Sequence, residues 1–371
     1  MRGSIGLGRI LGIPIRLHLS WFLIAALITW SLAAGYFPQA NPGWDTVTYW
    51  IVGAVASVLF FASVLLHELG HSVLALREQV PVKSITLFIF GGVAEIGREP
   101  PTAGAEFRIA IAGPLTSLGL AGLFGGLGAL LSDYAMLAAP LAYLGSINLL
   151  LAAFNMIPGF PLDGGRVLRA AFWSFSGSLS RATRWASRAG QAVAVLFIVL
   201  GVVQFLVGGL TNGLWLAFIG WYLHSAARSS YQQVKLRDVL GGVKARNVAL
   251  EQCVPVSSDL RLNRLVEDQV LKEGGRCFTV TESDAPQGLI TLENIKAVAR
   301  TQWAALTTGE IMTPVSMLPL VDADDDLWSL IERMNEDGVS EVPVVDNGNL
   351  LGLITRDGLL NHLRLRSELA A

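Results

Sequence analysis

What constrains this chain most is a set of long apolar runs that contain almost no charge. The run from Val47 to Leu76 has no Lys or Arg, yet it carries His67, Glu68 and His71 in the pentapeptide HELGH. A stretch of this length and apolarity reads as a membrane-crossing helix, since a helix satisfies its backbone polar groups within one segment. On such a helix His67 and His71 stand one turn apart on the same face. Two imidazoles can then reach one zinc ion, with Glu68 beside it as a base for water. Ionisable groups inside a spanning segment are costly and are kept mainly for function. The trio reads as a hydrolytic metal centre, the alternative being a buried hydrogen-bonded cluster without metal.

Composition sets the wider frame. The chain is 52% hydrophobic and only 15% charged, the balance of an integral membrane protein. The apolar runs stop near Ala227, and the remainder reads as ordinary soluble sequence. Two parts are expected: an α-helical polytopic membrane domain over residues 1–230 and a cytosolic α/β domain over residues 231–371. A net charge of -2 argues against a broad nucleic-acid surface, so no nucleic-acid partner is expected. Cys253 and Cys277 have no framework or metal-knuckle spacing and read as reduced thiols. The first apolar segment lacks a small-residue cleavage site and is expected to stay as an anchor.

Taken in order, the chain suggests about six spans. Arg2, Arg9 and Arg16 precede a run from Leu17 to Phe37, and the second span covers about 48–76. Ile85 to Ile96, centred on Gly91-Gly92, is too short to cross and rich in β-branched and aromatic residues. It reads as a small hairpin or re-entrant strand pair near the metal, with Leu87 and Ile89 on an edge where an unwound substrate could pair. A third span runs from about Phe107 to Leu131, where Ala112-Gly113-Pro114 reads as close packing with a kink. The fourth, about Ala135 to Ile157, is stopped by Pro158, Gly159 and Pro161, leaving Asp163 on a rigid turn. Runs at about 189–210 and 213–227 complete the set. His18 and His224, at the ends of apolar runs, read as interfacial or packing residues.

Charge placement orients these spans. Basic residues fall before the first span, between spans two and three, between four and five, and after six, whereas connectors 38–47, 132–134 and 211–213 have none. By the positive-inside rule both termini are cytoplasmic. HELGH and Asp163 then lie at the same, cytoplasmic depth. Zinc held by two histidines needs a third protein ligand and an open position. Spacing alone leaves Asp163 either as that ligand or as an ordinary helix-end turn residue.

HELGH in one membrane helix, followed by Asn155-x-x-Pro158-x-x-Pro161-Leu162-Asp163-Gly164-Gly165-Arg166 at the end of another, resembles the site-2 protease family of intramembrane zinc metalloproteases. The resemblance covers the membrane domain. It implies zinc ligands His67, His71 and Asp163, Glu68 as catalytic base, and Asn155 in contact with the substrate carbonyl or oxyanion. On its own chemistry an amide such as Asn155 could equally bond a neighbouring helix. The expected substrate is a single-span membrane protein met within the lipid bilayer.

The soluble half contains an internal repeat. Val256 to Leu260, Cys277 to Val280 and Gly288 to Thr291 parallel Val321 to Asp324, Val342 to Val345 and Gly352 to Thr355. The second unit, with Met312-Thr313-Pro314 at its head, resembles a cystathionine-β-synthase (CBS) domain, and the first does so less closely. Units at about 235–300 and 307–368 are expected. Such pairs commonly bind adenine nucleotides through a Thr or Ser and an Asp three residues on. Here Thr291 is followed at that offset by Asn294 and Thr355 by Gly358, with Asp357 one place early. Nucleotide binding and a dimerising or gating role stand side by side, with a homodimer through these domains as one outcome. A CBS-regulated metal or ion transporter is the alternative for the whole chain, but it calls for a polar path across the full bilayer. The polar groups here gather on one side.

Overall fold

The computed structural model describes residues 3–362 except 90, 241–242, 249–252, 283–284, 319, 337–338, 340, 347–348, 357 and 360. It divides into two compact units, Met1–Val234 and Lys235–Ala371.

The first unit opens on a hairpin that sequence reading did not anticipate, β1 (Ser4–Ile10) and β2 (Ile13–His18). His18 ends the strand and caps the first helix, its Nδ1 accepting from Ser20 N at 3.2 Å. That helix, α1 (Leu19–Ser31), continues through a π-helical turn over Leu32–Tyr36 into the short α2 (Phe37–Ala40). Asp45 then caps α3 (Thr46–Arg77), whose 32 residues reach ~48 Å, more than a bilayer core requires. HELGH lies near its C-terminal end.

The strand pair expected after α3 is β3 (Val82–Phe88) and β4 (Gly91–Ile96), joined antiparallel. Parallel pairing of β2 with β3, Ile15 opposite Ile85 and Leu17 opposite Leu87, merges both hairpins into one sheet of order β1-β2-β3-β4. Its open edge near the centre is therefore β4. Leu87 lies on β3, an interior strand, which corrects the edge assignment made from sequence. Ile13, Ile15 and Ile85 pack on Leu65 and Leu69 of α3, alternating along that helix with the HELGH histidines.

The remaining elements are α4 (Ala103–Leu130), α5 (Ala135–Asn155), α6 (Asp163–Ser176), α7 (Leu179–Leu206) and α8 (Leu210–Leu240). Asp163 is the first residue of a helix, a change from the rigid turn expected. The basic stretch after it is helical throughout α6 and into α7, where only a connector was foreseen. Among the described residues five segments are long and apolar enough to cross a membrane: Leu19–Ala40, Thr46–Arg77, Ala103–Leu130, Ala135–Asn155 and Leu179–Leu206. The long helix α8 follows them. Exposed Phe22, Trp30, Val58, Leu123 and Val199 give these helices an apolar outer face suited to lipid.

The second unit repeats one motif. In the first copy β5 (Val254–Ser257) pairs parallel with β6 (Cys277–Glu282) across α9 (Leu262–Arg264) and a π-helix, Leu265–Lys272. β6 then turns antiparallel into β7 (Ala285–Thr291), which leads to α10 (Leu292–Ala297) and α11 (Thr308–Ile311). The second copy has β8 (Thr313–Pro314), β9 (Val321–Asp322), α12 (Leu327–Glu336), β10 (Glu341–Asp346) and β11 (Asn349–Thr355). Both hairpins break register at matching places, after Val280 and after Val344. The copies are interlocked, because β8 pairs onto β7 of the first sheet while Val243, Ala245 and Val248 pack into the second core.

One expectation fails in this unit. Cys253 and Cys277 are joined in a disulfide and are not free thiols. The parallel register of Val254 with Phe278 sets the residues before them side by side, which a separation of 24 does not announce. The bridge packs with Leu289 and Leu353, one from each copy. Replacing Cys253 with Ser is expected to lower the stability of this unit by about 3.5 kcal/mol, the chain-entropy value for a loop of this size. Thiol titration of the unfolded wild type, silent before reduction and reporting both cysteines after it, checks the bridge independently.

Candidate metal centre

Three atoms converge at one end of the helical unit. His67 Nε2 and His71 Nε2 lie 3.3 Å apart, and Asp163 Oδ2 is 3.2 Å from the first and 3.1 Å from the second. Zinc bonds of about 2.0–2.1 Å arranged tetrahedrally put neighbouring ligand atoms about 3.3 Å apart. The triangle already has the dimensions of one face of that tetrahedron. Among the described residues this trio is the one cluster of His, Cys and acidic groups that could hold a metal.

Each ligand is held from behind. His71 Nδ1 donates to the Ile109 carbonyl at 2.7 Å; a carbonyl only accepts, so the ring proton sits on Nδ1 and the Nε2 lone pair faces the centre. His67 Nδ1 meets Ser117 Oγ at 2.9 Å. Both partners lie on α4, and Gly113 of the same helix lies under the two rings. A Cβ there would overlap His71 Nε2 and sit 2.6 Å from His67 Nε2. Gly113, read from sequence as a packing residue, makes room for the imidazoles. Asp163 sets one carboxylate oxygen, a formal negative charge, against both imidazole nitrogens. The aspartate is therefore the anion that a cation site needs.

Glu68 lies against the sheet. Its Oε2 accepts from Ala94 N of β4 at 3.2 Å, and a side chain at Gly92 would come 2.6 Å from its Cγ. Along β4, Gly91, Val93 and Glu95 turn their backbone toward β3, so Gly92, Ala94 and Ile96 turn theirs outward. Beside this edge opens a cavity of about 880 Å³ lined by the three ligands, Glu68, Asn155 and Arg166 among apolar side chains. Asn155 donates to Leu151 O within its own helix at 3.1 Å and faces that cavity. His18 and His224 do not join the centre.

In the second unit the nucleotide candidates are engaged locally. Thr291 closes a capping box with Asn294 at the start of α10, and Thr355 Oγ1 accepts from Gly358 N at 3.1 Å. Asp357 lies outside the described residues. Sequence reading missed Ser117, the Ile109 carbonyl and the buried Glu106 and Arg169. The signal available was the spacing of Glu106, Ile109, Gly113 and Ser117 along one helix face.

Comparison with known proteins places the chain. Residues 55–139 and 130–200 match peptidase family M50, and residues 309–365 match the CBS domain. The zinc metalloprotease MJ0392 of Methanocaldococcus jannaschii is 30% identical over 373 residues, covering 100% of this chain and 99% of that protein. Rip3 of Mycobacterium tuberculosis is 38% identical over 360 residues, 96% of this chain and 91% of its own. A solved site-2 protease from Methanocaldococcus jannaschii, 30% identical, covers 62% of this chain and 95% of its own, with a TM-score of 0.41. The chain belongs to peptidase family M50, the site-2 proteases. It is an integral membrane zinc metalloprotease that carries a CBS domain.

Replacing Gly113 with Ala is expected to displace the His71 ring and abolish tight zinc binding in a protein that still folds. Ser117→Ala, which removes only an outer hydrogen bond, is expected to weaken zinc by about 10-fold or more. Metal content of the detergent-purified variants after dialysis against a graded chelator separates the two.

Proposed function

We propose that the protein is an intramembrane endopeptidase that cuts the transmembrane segment of single-span membrane proteins near the cytosolic leaflet. The observation that carries this reading is the His67–His71–Asp163 triangle, with Glu68 and an open strand edge on the rim of one largely apolar cavity. In this reading residues 1–230 form the membrane-embedded protease domain and residues 231–371 the CBS pair, with both chain ends in the cytoplasm. His67, His71 and Asp163 are the residues that would hold zinc, and their spacing and charge fit it. When bound there, zinc supplies Lewis-acid activation of water and of a peptide carbonyl.

This chain's own residues do the rest. Glu68 takes the proton from the attacking water and returns it to the leaving amine. The Ala94 amide aims its carboxylate, so the base is held by the strand that borders the substrate. Asn155 donates to the oxygen of the scissile carbonyl. A helical substrate hides its peptide bonds in internal hydrogen bonds, so it must unwind to react. The outward backbone groups of Gly92, Ala94 and Ile96 offer the unwound strand a pairing edge.

The CBS pair tunes access to the site, by binding an adenine nucleotide or by pairing two copies into a homodimer. Arg276, Lys296 and Arg356, together with the carboxylates Glu293 and Glu341, line a depression of about 240 Å³ beside Thr355, where the three cations are the groups that could meet phosphate. Among the described residues the buried histidines and charged side chains of the membrane unit, His67, His71, Glu106 and Arg169, belong to the metal centre and the ion pair on its supporting helix, which the transporter alternative does not explain.

Glu68→Gln is expected to keep about one zinc per chain and lose at least ~10²-fold in cleavage of a single-span substrate. Wild-type zinc uptake with undiminished cleavage by this variant would sink the assignment of the base. For the strand edge, Ile96→Pro removes one outward N–H without touching the β3 pairing. It is expected to lower kcat/KM on a membrane substrate about tenfold, the worth of one hydrogen bond, while zinc content stays the same.

A further inference from the structure

Four positions on α4, Glu106, Ile109, Gly113 and Ser117, recur at the spacing of one helix face. Three of them serve the histidines of α3, as described above. The fourth turns to α6. Glu106 is wholly buried, and its Oε1 accepts from Arg169 Nε at 2.6 Å and from a second nitrogen of the same guanidinium. Arg169, itself only 6% exposed, reaches past it to Glu99, with Nη2 3.0 Å from Oε2 and Nη1 3.4 Å from Oε1.

Arg169 stands on the helix that Asp163 begins, under two turns further along. The N-terminal end of that helix is jammed: a Cβ on Gly164 or Gly165 would overlap the backbone of Met156–Ile157 or Gly159–Phe160. Such a contact limits how closely α6 approaches but leaves its rotation and height open. The guanidinium fork closes that freedom, since two carboxylates fix its plane from one side and the Phe160 ring meets it at 5.2 Å. A buried carboxylate stripped of its cation is costly, and Glu106, whose Oε2 has no hydrogen-bond partner, relies on the Arg169 fork at its Oε1, which ties the setting of α6 to α4.

We propose that Arg169 is the positioning residue of the third ligand: held between Glu106 and Glu99, it sets α6 so that the Asp163 carboxylate meets the two imidazoles. The same face of α4 thereby registers all three ligands, two through ring hydrogen bonds and one through an ion pair. This rests on the reading of His67, His71 and Asp163 as the metal site.

The test measures Co²⁺ and Zn²⁺ affinity and the visible absorption of the Co²⁺ form in the full-length, detergent-purified chain. Wild type, Arg169→Lys, Asp163→Asn and the double variant are compared. Lys keeps the charge and loses the fork. Arg169→Lys is expected to bind either metal about 10- to 100-fold more weakly and to shift the Co²⁺ spectrum toward that of Asp163→Asn. In the double variant the two losses are expected not to add, because both report on one ligand. Wild-type affinity and spectrum in Arg169→Lys would overturn the proposal, as would losses that add in full. Should Arg169→Lys fail to fold, Glu99→Gln, at the half-buried end of the clamp, gives the same readouts with a smaller shift. Unchanged affinity there overturns the proposal too. A wild type that takes up no metal would instead overturn the metal-site reading along with it.

Discussion

Two histidines inside an apolar bundle are tolerable only if both nitrogens of each ring find partners, and this requirement governs the arrangement around them. The outer nitrogens need groups that a neighbouring helix can supply without water. The Ile109 carbonyl and the Ser117 hydroxyl do so from α4. A carbonyl in a regular helix already accepts from the amide four residues on, and the donor from His71 takes its second lone pair. Ser117 is a residue that in hydrocarbon would otherwise bond its own helix. Once those two contacts are set, the inner nitrogens point at one spot, and Gly113 is required because any larger residue would fill it. The packing of α3 on α4 is thus a consequence of ring chemistry as much as of apolar fit.

The sheet solves a different problem. Irregular or edge backbone at membrane depth must be paired or covered, or line a polar space. Joining the two hairpins through β2 and β3 leaves β4 as the open edge beside the centre, and that edge faces the cavity holding Glu68. One exposed amide, that of Ala94, is spent on the carboxylate. Its neighbours remain available, so the unsatisfied edge and the site that could use it coincide.

Which parts were legible follows from the range of each interaction. The pairing of His67 with His71 is a matter of one helical turn, and HELGH shows it directly. Asp163 could be proposed because charge-bearing connectors place two distant helix ends at one depth, although its seat at the start of α6 was hidden by the prolines and glycines before it. The β1–β2 hairpin escaped notice because Ser4–Ile10 has two glycines, no clean alternation and exposure along most of its length. Its registration on β3 is a parallel, long-range pairing that no local pattern encodes. The Cys253–Cys277 bridge was invisible for the same reason: it depends on the register of β5 with β6. Ser117 and Glu106 are unremarkable residues in a helix until the direction of a ring nitrogen or of Arg169 is known.

Charge bookkeeping explains why these clusters take the form they do. An uncompensated ion in a medium of low polarity is far more costly than a paired one. At the metal centre the Asp163 and Glu68 carboxylates bring two negative charges, with the Arg166 guanidinium further along the same cavity wall, while the ring proton of His71 on Nδ1 leaves its imidazole neutral. A divalent cation brings those two carboxylates to neutrality. A third histidine in place of Asp163 would leave an excess positive charge in the bundle, and a second aspartate an excess negative one. The neighbouring cluster obeys the same rule: Glu106 and Glu99 face Arg169, with Arg166 3.9 Å from Glu106. Two anions meet two cations there, and α6 supplies charge to both clusters through Asp163, Arg166 and Arg169.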